Sequence, residues 1–251
     1  MNPPPGAGPP EAGRRPPGGQ RHRASGKRGG LALFDLDLTL LPIDSDHAWG
    51  EFVIGEGWVD EAAFRAGNDA FYEQYKRGAL DIAAYVAFAA APLRERSAAE
   101  LAEAHARFMR DVVRPAILPA ATALVAAHRA RGDRLAIVTS TSDFITAPIA
   151  AAFGIDALIA TRLERDAAGA PTGRIDGTAA LREGKVARVG QWLAEAGLDW
   201  GDFERISVYS DSPNDLPLLE RATDPVATNP SPELEAVARA RGWRIVRLFE
   251  Q

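Results

Sequence analysis

Two carboxylates one residue apart, Asp35 and Asp37, follow the apolar run Leu31-Ala32-Leu33-Phe34 directly, and the segment closes with Leu38-Thr39. Like charges at that spacing repel unless a cation compensates them, so the pair suggests a divalent metal. Two later apolar runs also end in polar groups. Leu135-Ala136-Ile137-Val138 leads into Thr139-Ser140-Thr141-Ser142, and Ile206-Ser207-Val208-Tyr209 into Ser210-Asp211-Ser212-Pro213-Asn214-Asp215. Lys185 stands apart, because the chain has lysine only at positions 27, 76 and 185, against 26 arginines. A compact ammonium reaching a phosphate as a point charge is one reason for the exception.

The elements that must position these groups are legible. Each apolar run is too short for a buried helix and reads as a strand of a parallel sheet, covered on both faces. Ligands of such sheets bind at the carboxyl ends of the strands, so the three polar turns should converge. From Pro119 onward strand and helix patterns alternate, with a hairpin expected from Arg162 to Arg174, which predicts a doubly wound parallel α/β core. Between residues 46 and 114 only helical periods occur: Ala48 to Ile54 behind an N-cap at Ser45 or Asp46, Asp60 to Lys76, Asp81 to about Ala90, and Ala98 to Val113 behind Ser97. The expected organisation is a core of residues 29–45 and 115–251 with a helical cap, 46–114, inserted after the first strand. Residues 1–28 are rich in Pro, Gly and Arg, with Glu11 as their single acid, and read as a disordered tail.

Composition limits the function. With 251 residues, 46% of them hydrophobic, the chain can bury one full core and a smaller satellite. A net charge of -5 argues against nucleic-acid or membrane-surface partners, and no apolar stretch is long enough to span a bilayer. The lack of cysteine excludes disulfides and thiolate metal sites and suits a cytoplasmic protein. Oligomeric state is left open.

In this order, Asp35-Leu36-Asp37-Leu38-Thr39, a strand ending in Thr139, Lys185, and Ser210 to Asp215 resemble the four motifs of the haloacid dehalogenase superfamily, over residues 30 to 251. The insertion after the first motif is similar to the cap of its phosphoserine-phosphatase-like branch. The resemblance implies a Mg²⁺-dependent phosphatase acting on a small phosphorylated metabolite, with Asp35 as nucleophile. Asp35 and Asp211 would give carboxylate ligands and Asp37 its backbone carbonyl, while Asp215 is either a ligand or a residue that fixes the site. Thr139, Ser140, Lys185 and Asn214 would hold the phosphoryl oxygens. A carboxylate at Asp37 can protonate the leaving oxygen and later deprotonate water, which favours hydrolysis over a long-lived intermediate.

For the substrate, an acidic residue in the loop after the first motif binds an amine in the phosphoserine phosphatases that the chain resembles, and Asp44 stands near that place. Their cap arginine, which binds a carboxylate, has no counterpart between Leu80 and Pro92. Burying a carboxylate without a cationic partner costs several kcal/mol, so an amine without a carboxylate is expected, such as histidinol phosphate, at Asp44 and Asp46. His47 and Trp49 either complete that pocket or pack the helix. Phosphoserine hydrolysis and phosphoryl transfer to another acceptor are the alternatives.

Overall fold

The computed structural model of the chain describes Met1 and residues 28–249. Residues 2–27 of the expected disordered tail therefore lie outside the described residues, and Arg28 already opens the first strand.

Six strands form one parallel sheet in the order β3-β2-β1-β6-β7-β8: β1 Arg28–Phe34, β2 Arg134–Ser142, β3 Ala157–Thr161, β6 Phe203–Ser210, β7 Asp224–Thr228 and β8 Arg244–Val246. The hairpin β4 Leu163–Arg165 and β5 Pro171–Ile175 stands beside it. Alternate residues of β1 serve opposite faces. Ala32 and Phe34 join one buried cluster with Ile137, Tyr209 and Val226, while Leu31 and Leu33 join another with Val138, Val208 and Leu193. Burial on both faces is why these strands read as unbroken apolar runs. The chain order reverses between β1 and β6, and a crevice opens there at the carboxyl ends.

Helices α1 Ser45–Gly55, α2 Glu61–Lys76, α3 Ile82–Ala90 and α4 Ala98–Phe108 make up the insertion. They do not stand equally far from the sheet. Trp49 and Val53 of α1 and Leu101, Ala104 and Phe108 of α4 pack in the cluster that contains Phe34. In contrast, α2 buries only Asn68, and α3 buries Val86 and Ala90. Close approach joins these helices. A Cβ on Gly50 would lie 2.3 Å from the Asn68 amide, and one on Gly67 would lie 2.7 Å from the Phe88 ring. Helices α5 Pro119–Ala130, α6 Asp143–Ala152, α7 Glu183–Glu195 and α8 Pro232–Arg241 cover the sheet. No helix among the described residues is long and apolar enough to cross a membrane.

Three boundaries differ from expectation. Helix α1 starts at Ser45 rather than Ala48, because Asp44 is the N-cap and accepts hydrogen bonds from the Asp46 and His47 amides. Strand β2 continues through the polar residues to Ser142, where it pairs with Thr161 after a register shift. The helix expected to reach Val113 widens into a π turn over Met109–Val113.

A buried network at the amino ends of the central strands steadies this arrangement. Asp133 accepts hydrogen bonds from Gly30 N at 3.0 Å, His128 Nδ1 at 2.7 Å and Arg205 Nη2 at 2.9 Å. The His128 Nε2 in turn accepts from the Tyr209 hydroxyl at 2.7 Å. Burial pushes the Asp133 carboxyl up, but the bonds from His128 and Arg205 outweigh it and hold the group below its ordinary value. A carboxyl lowered in the folded state stabilises the protein above its unfolded pKa, and the contribution disappears as pH falls through the folded value. Asp133→Asn should thus cost about 2–3 kcal/mol at pH 7 in a denaturant melt, and the gap to the parent should close below about pH 4.

Candidate active site

The register of the central strands places the polar turns side by side. Phe34 pairs with Ile137 on one side and Tyr209 on the other, and the Asp35 amide donates to the Tyr209 carbonyl at 2.9 Å. Asp35, Thr139 and Asp211 therefore emerge at one edge, as parallel strands require.

Asp35 is buried, and both of its oxygens are engaged. Lys185 Nζ donates to Oδ1 at 2.8 Å, and Thr39 Oγ1 donates to Oδ2 at 3.0 Å. Lys185, fully buried three residues into α7, also reaches Asp215 Oδ2 at 2.7 Å. Desolvation would discharge a lone buried lysine, but Asp215 and Asp35 outweigh it and raise the group above its ordinary value. Ser210 Oγ adds a bond to Asp215 Oδ2 at 2.8 Å, whereas Asp215 Oδ1 is buried with no partner among the described residues.

The site carries more negative charge than Lys185 can offset. Burial raises the carboxyls of Asp35, Asp211 and Asp215, opposed by Lys185 at Asp35 and Asp215 and reinforced at Asp211 by Asp35 and Asp215. The single Thr39 hydroxyl lies 3.0 Å from Asp35 Oδ2 and 3.2 Å from Asp211 Oδ1, and one proton cannot satisfy both. Two facing carboxylates short of positive charge, with oxygen donors only, fit a hard divalent cation such as Mg²⁺. Among the described residues no group of three or more histidine, cysteine, aspartate or glutamate side chains is placed to hold a metal ion by itself. The carboxylates that the structure brings face to face, Asp35 and Asp211, are the donors suited to such a cation.

The Asp37 side chain faces the cavity rather than the ammonium. Ser45 N donates to Oδ1 and Thr141 Oγ1 to Oδ2, both at 2.8 Å. Burial, with help from the Asp44 charge, pushes Asp37 up to about 7 against these bonds. A carboxyl near neutrality can both give and take a proton. Thr141 has no assigned role in the polar turn read from the sequence, although two-residue alternation along an extended strand puts it on the face of Thr139. Thr139 and Ser140 line the cavity, and Ser140 Oγ has no partner. Asn214, expected at the phosphate, does not line it. Its Nδ2 donates to the Tyr75 carbonyl at 3.1 Å, tying the last turn of α2 to the core.

The cavity above Asp35 and Asp37 is walled by Asp44, Asp46, His47 and the rings of Phe71, Tyr72, Tyr75 and Tyr85. Among the described residues lining it there is no arginine or lysine. Asp44 spends Oδ1 on capping α1, while Asp46 accepts a hydrogen bond from Tyr85. Burial raises both carboxyls, the Asp46 group further because Asp44 and Asp37 repel it. His47 Nε2 lies 3.0 Å from Asp69 Oδ1, with its ring beside Tyr72. The aromatic wall is not legible in the sequence, where Tyr72, Tyr75 and Tyr85 fall within helical periods and nothing brings the two helices together.

The family model for haloacid dehalogenase-like hydrolases matches residues 32–220. Histidinol-phosphatase of Neisseria meningitidis serogroup C (strain 8013) is 45% identical over 216 residues, covering 86% of this chain and 97% of that protein. A solved protein of unknown function from Bordetella pertussis Tohama I is 51% identical, with a TM-score of 0.83 over 88% of this chain and 99% of that one. A phosphoserine phosphatase solved as a phospho-aspartyl intermediate analogue has a TM-score of 0.61 at 19% identity, covering 90% of this chain and 96% of its own, and shares the fold.

Proposed function

The chain belongs to the haloacid dehalogenase-like hydrolase family, and on that premise we propose that it is a Mg²⁺-dependent phosphomonoesterase that hydrolyses histidinol phosphate. The observation that carries the substrate is the acidic, aromatic cavity over Asp35, whose described lining holds no cation for a substrate carboxylate. The 45% identity to a protein named histidinol-phosphatase supports it.

In this reading Asp35 attacks the phosphorus and carries the phosphoryl group. Asp37 protonates the departing alcohol and then takes a proton from water as that water attacks the aspartyl-phosphate. Thr139, Ser140 and Lys185 steady the phosphoryl oxygens. Mg²⁺, held by Asp35, Asp211 and the Asp37 carbonyl, would supply neutralisation of the two anions that must meet. Asp44, through its uncommitted oxygen, takes the substrate amine. The cap, residues 46–114, closes over the metabolite. A cysteine-free composition fits work in the cytoplasm.

A panel of phosphomonoesters should give a kcat/KM for histidinol phosphate at least about tenfold above that for phosphoserine, because an unpaired buried carboxylate costs more than 1.4 kcal/mol. Chelator should remove the activity. Equal efficiencies, or a preference for phosphoserine, would overturn the substrate reading. Absence of inorganic phosphate until an acceptor is added would favour a phosphotransferase.

A further inference from the structure

A second, smaller cavity lies between α1 and α3 beside the one above Asp35, and Asp46, Ile82, Tyr85 and Ser140 line both. Val86, Leu93, Ile145 and Leu163 among others give it an apolar lining, to which Trp49 also belongs. Trp49 is 2% exposed, and its Nε1 has no hydrogen-bond partner among the described residues. A buried N–H left unpaired is unfavourable, so an orphan indole donor on a residue that lines a cavity calls for an acceptor.

Trp49 and Asp46 are three residues apart on α1, on the same helix face. One offers a donor and the other an acceptor, and Tyr85 on the facing helix donates to the Asp46 carboxylate. A flat, mostly apolar ring that carries one N–H and one bare nitrogen matches this lining and this donor and acceptor. Resting on the histidinol-phosphatase reading, we propose that this cavity seats the imidazole ring of the substrate. Trp49 Nε1 donates to the unprotonated ring nitrogen, and Asp46 accepts from the ring N–H. Substrate specificity then has two separate parts: Asp44 selects the amine, and the annex behind Asp46 selects the heterocycle.

The test compares three substrates on the full chain with Mg²⁺: histidinol phosphate, the thienyl analogue with a five-membered ring lacking nitrogen, and phosphoserine. The parent should prefer histidinol phosphate over the thienyl compound by about a hundredfold in kcat/KM, about tenfold for each ring nitrogen left unmatched. Trp49→Phe keeps an aromatic ring without the N–H and should cut that preference about tenfold. Asp46→Asn and Tyr85→Phe should also shrink it, and they decide the matter if the tryptophan variant does not fold. A parent preference below tenfold, or a ratio unmoved by all three variants, overturns the ring seat. If histidinol phosphate still exceeds phosphoserine in that case, the proposed function stands without it. Phosphoserine turned over as well as histidinol phosphate overturns both.

Discussion

Asp35→Asn should abolish hydrolysis of every phosphomonoester, by at least about 10⁵-fold, while the protein stays folded. The amide cannot form the acyl phosphate on which the proposed route depends. Folding should survive because Lys185 keeps its bond to Asp215 at 2.7 Å, and one of several repelling buried carboxylates is gone. Circular dichroism and a melting curve measure the second half of the expectation. Asp37→Asn should behave differently, since it removes a proton carrier and not the attacking atom, and proton transfer contributes about 10² to 10⁴.

Lys185→Met carries the largest combined effect on stability and rate. The ammonium is the only lysine or arginine group within salt-bridge distance of Asp35 and Asp215 among the described residues. Removing it strands two buried carboxylates, which costs about 3–5 kcal/mol at neutral pH. Those carboxyls are already raised by burial, so without the lysine they bind protons more readily still, and the penalty should shrink as pH falls. Activity should fall by at least about 10³-fold, because in the proposed mechanism the same ammonium steadies the phosphoryl oxygens. A variant as stable as the parent at pH 7 would show that the cluster is compensated in another way.

Much of this centre was legible in the sequence because its parts break local rules. An apolar strand ending in two aspartates, and a single lysine where arginine is the habit, both stand out from their surroundings. The sheet itself was readable from continuous apolar runs, since strands buried on both faces leave that mark. What escaped depends on contacts between distant segments. Thr141 meets Asp37 across 104 residues, and only the neighbouring of β1 and β2 brings them together. Asn214 donates to the Tyr75 carbonyl across 139 residues, a contact that no turn motif encodes. The start of α1 was misplaced because Asp44, Ser45 and Asp46 are all good capping residues. Extended backbone at Asp44 and burial of Ser45 decide between them.

The central claim, that the phosphoryl group passes through the Asp35 carboxylate, is tested most directly by rapid-quench mass analysis of Asp37→Asn reacting with an aryl phosphate. That leaving group needs little protonation, so the first step should outlive the second and phosphate should accumulate on the protein. Peptide mapping should then find a phosphoryl adduct on Asp35. An adduct on Thr139, Ser140 or a histidine would contradict the mechanism, as would steady turnover with no adduct at all.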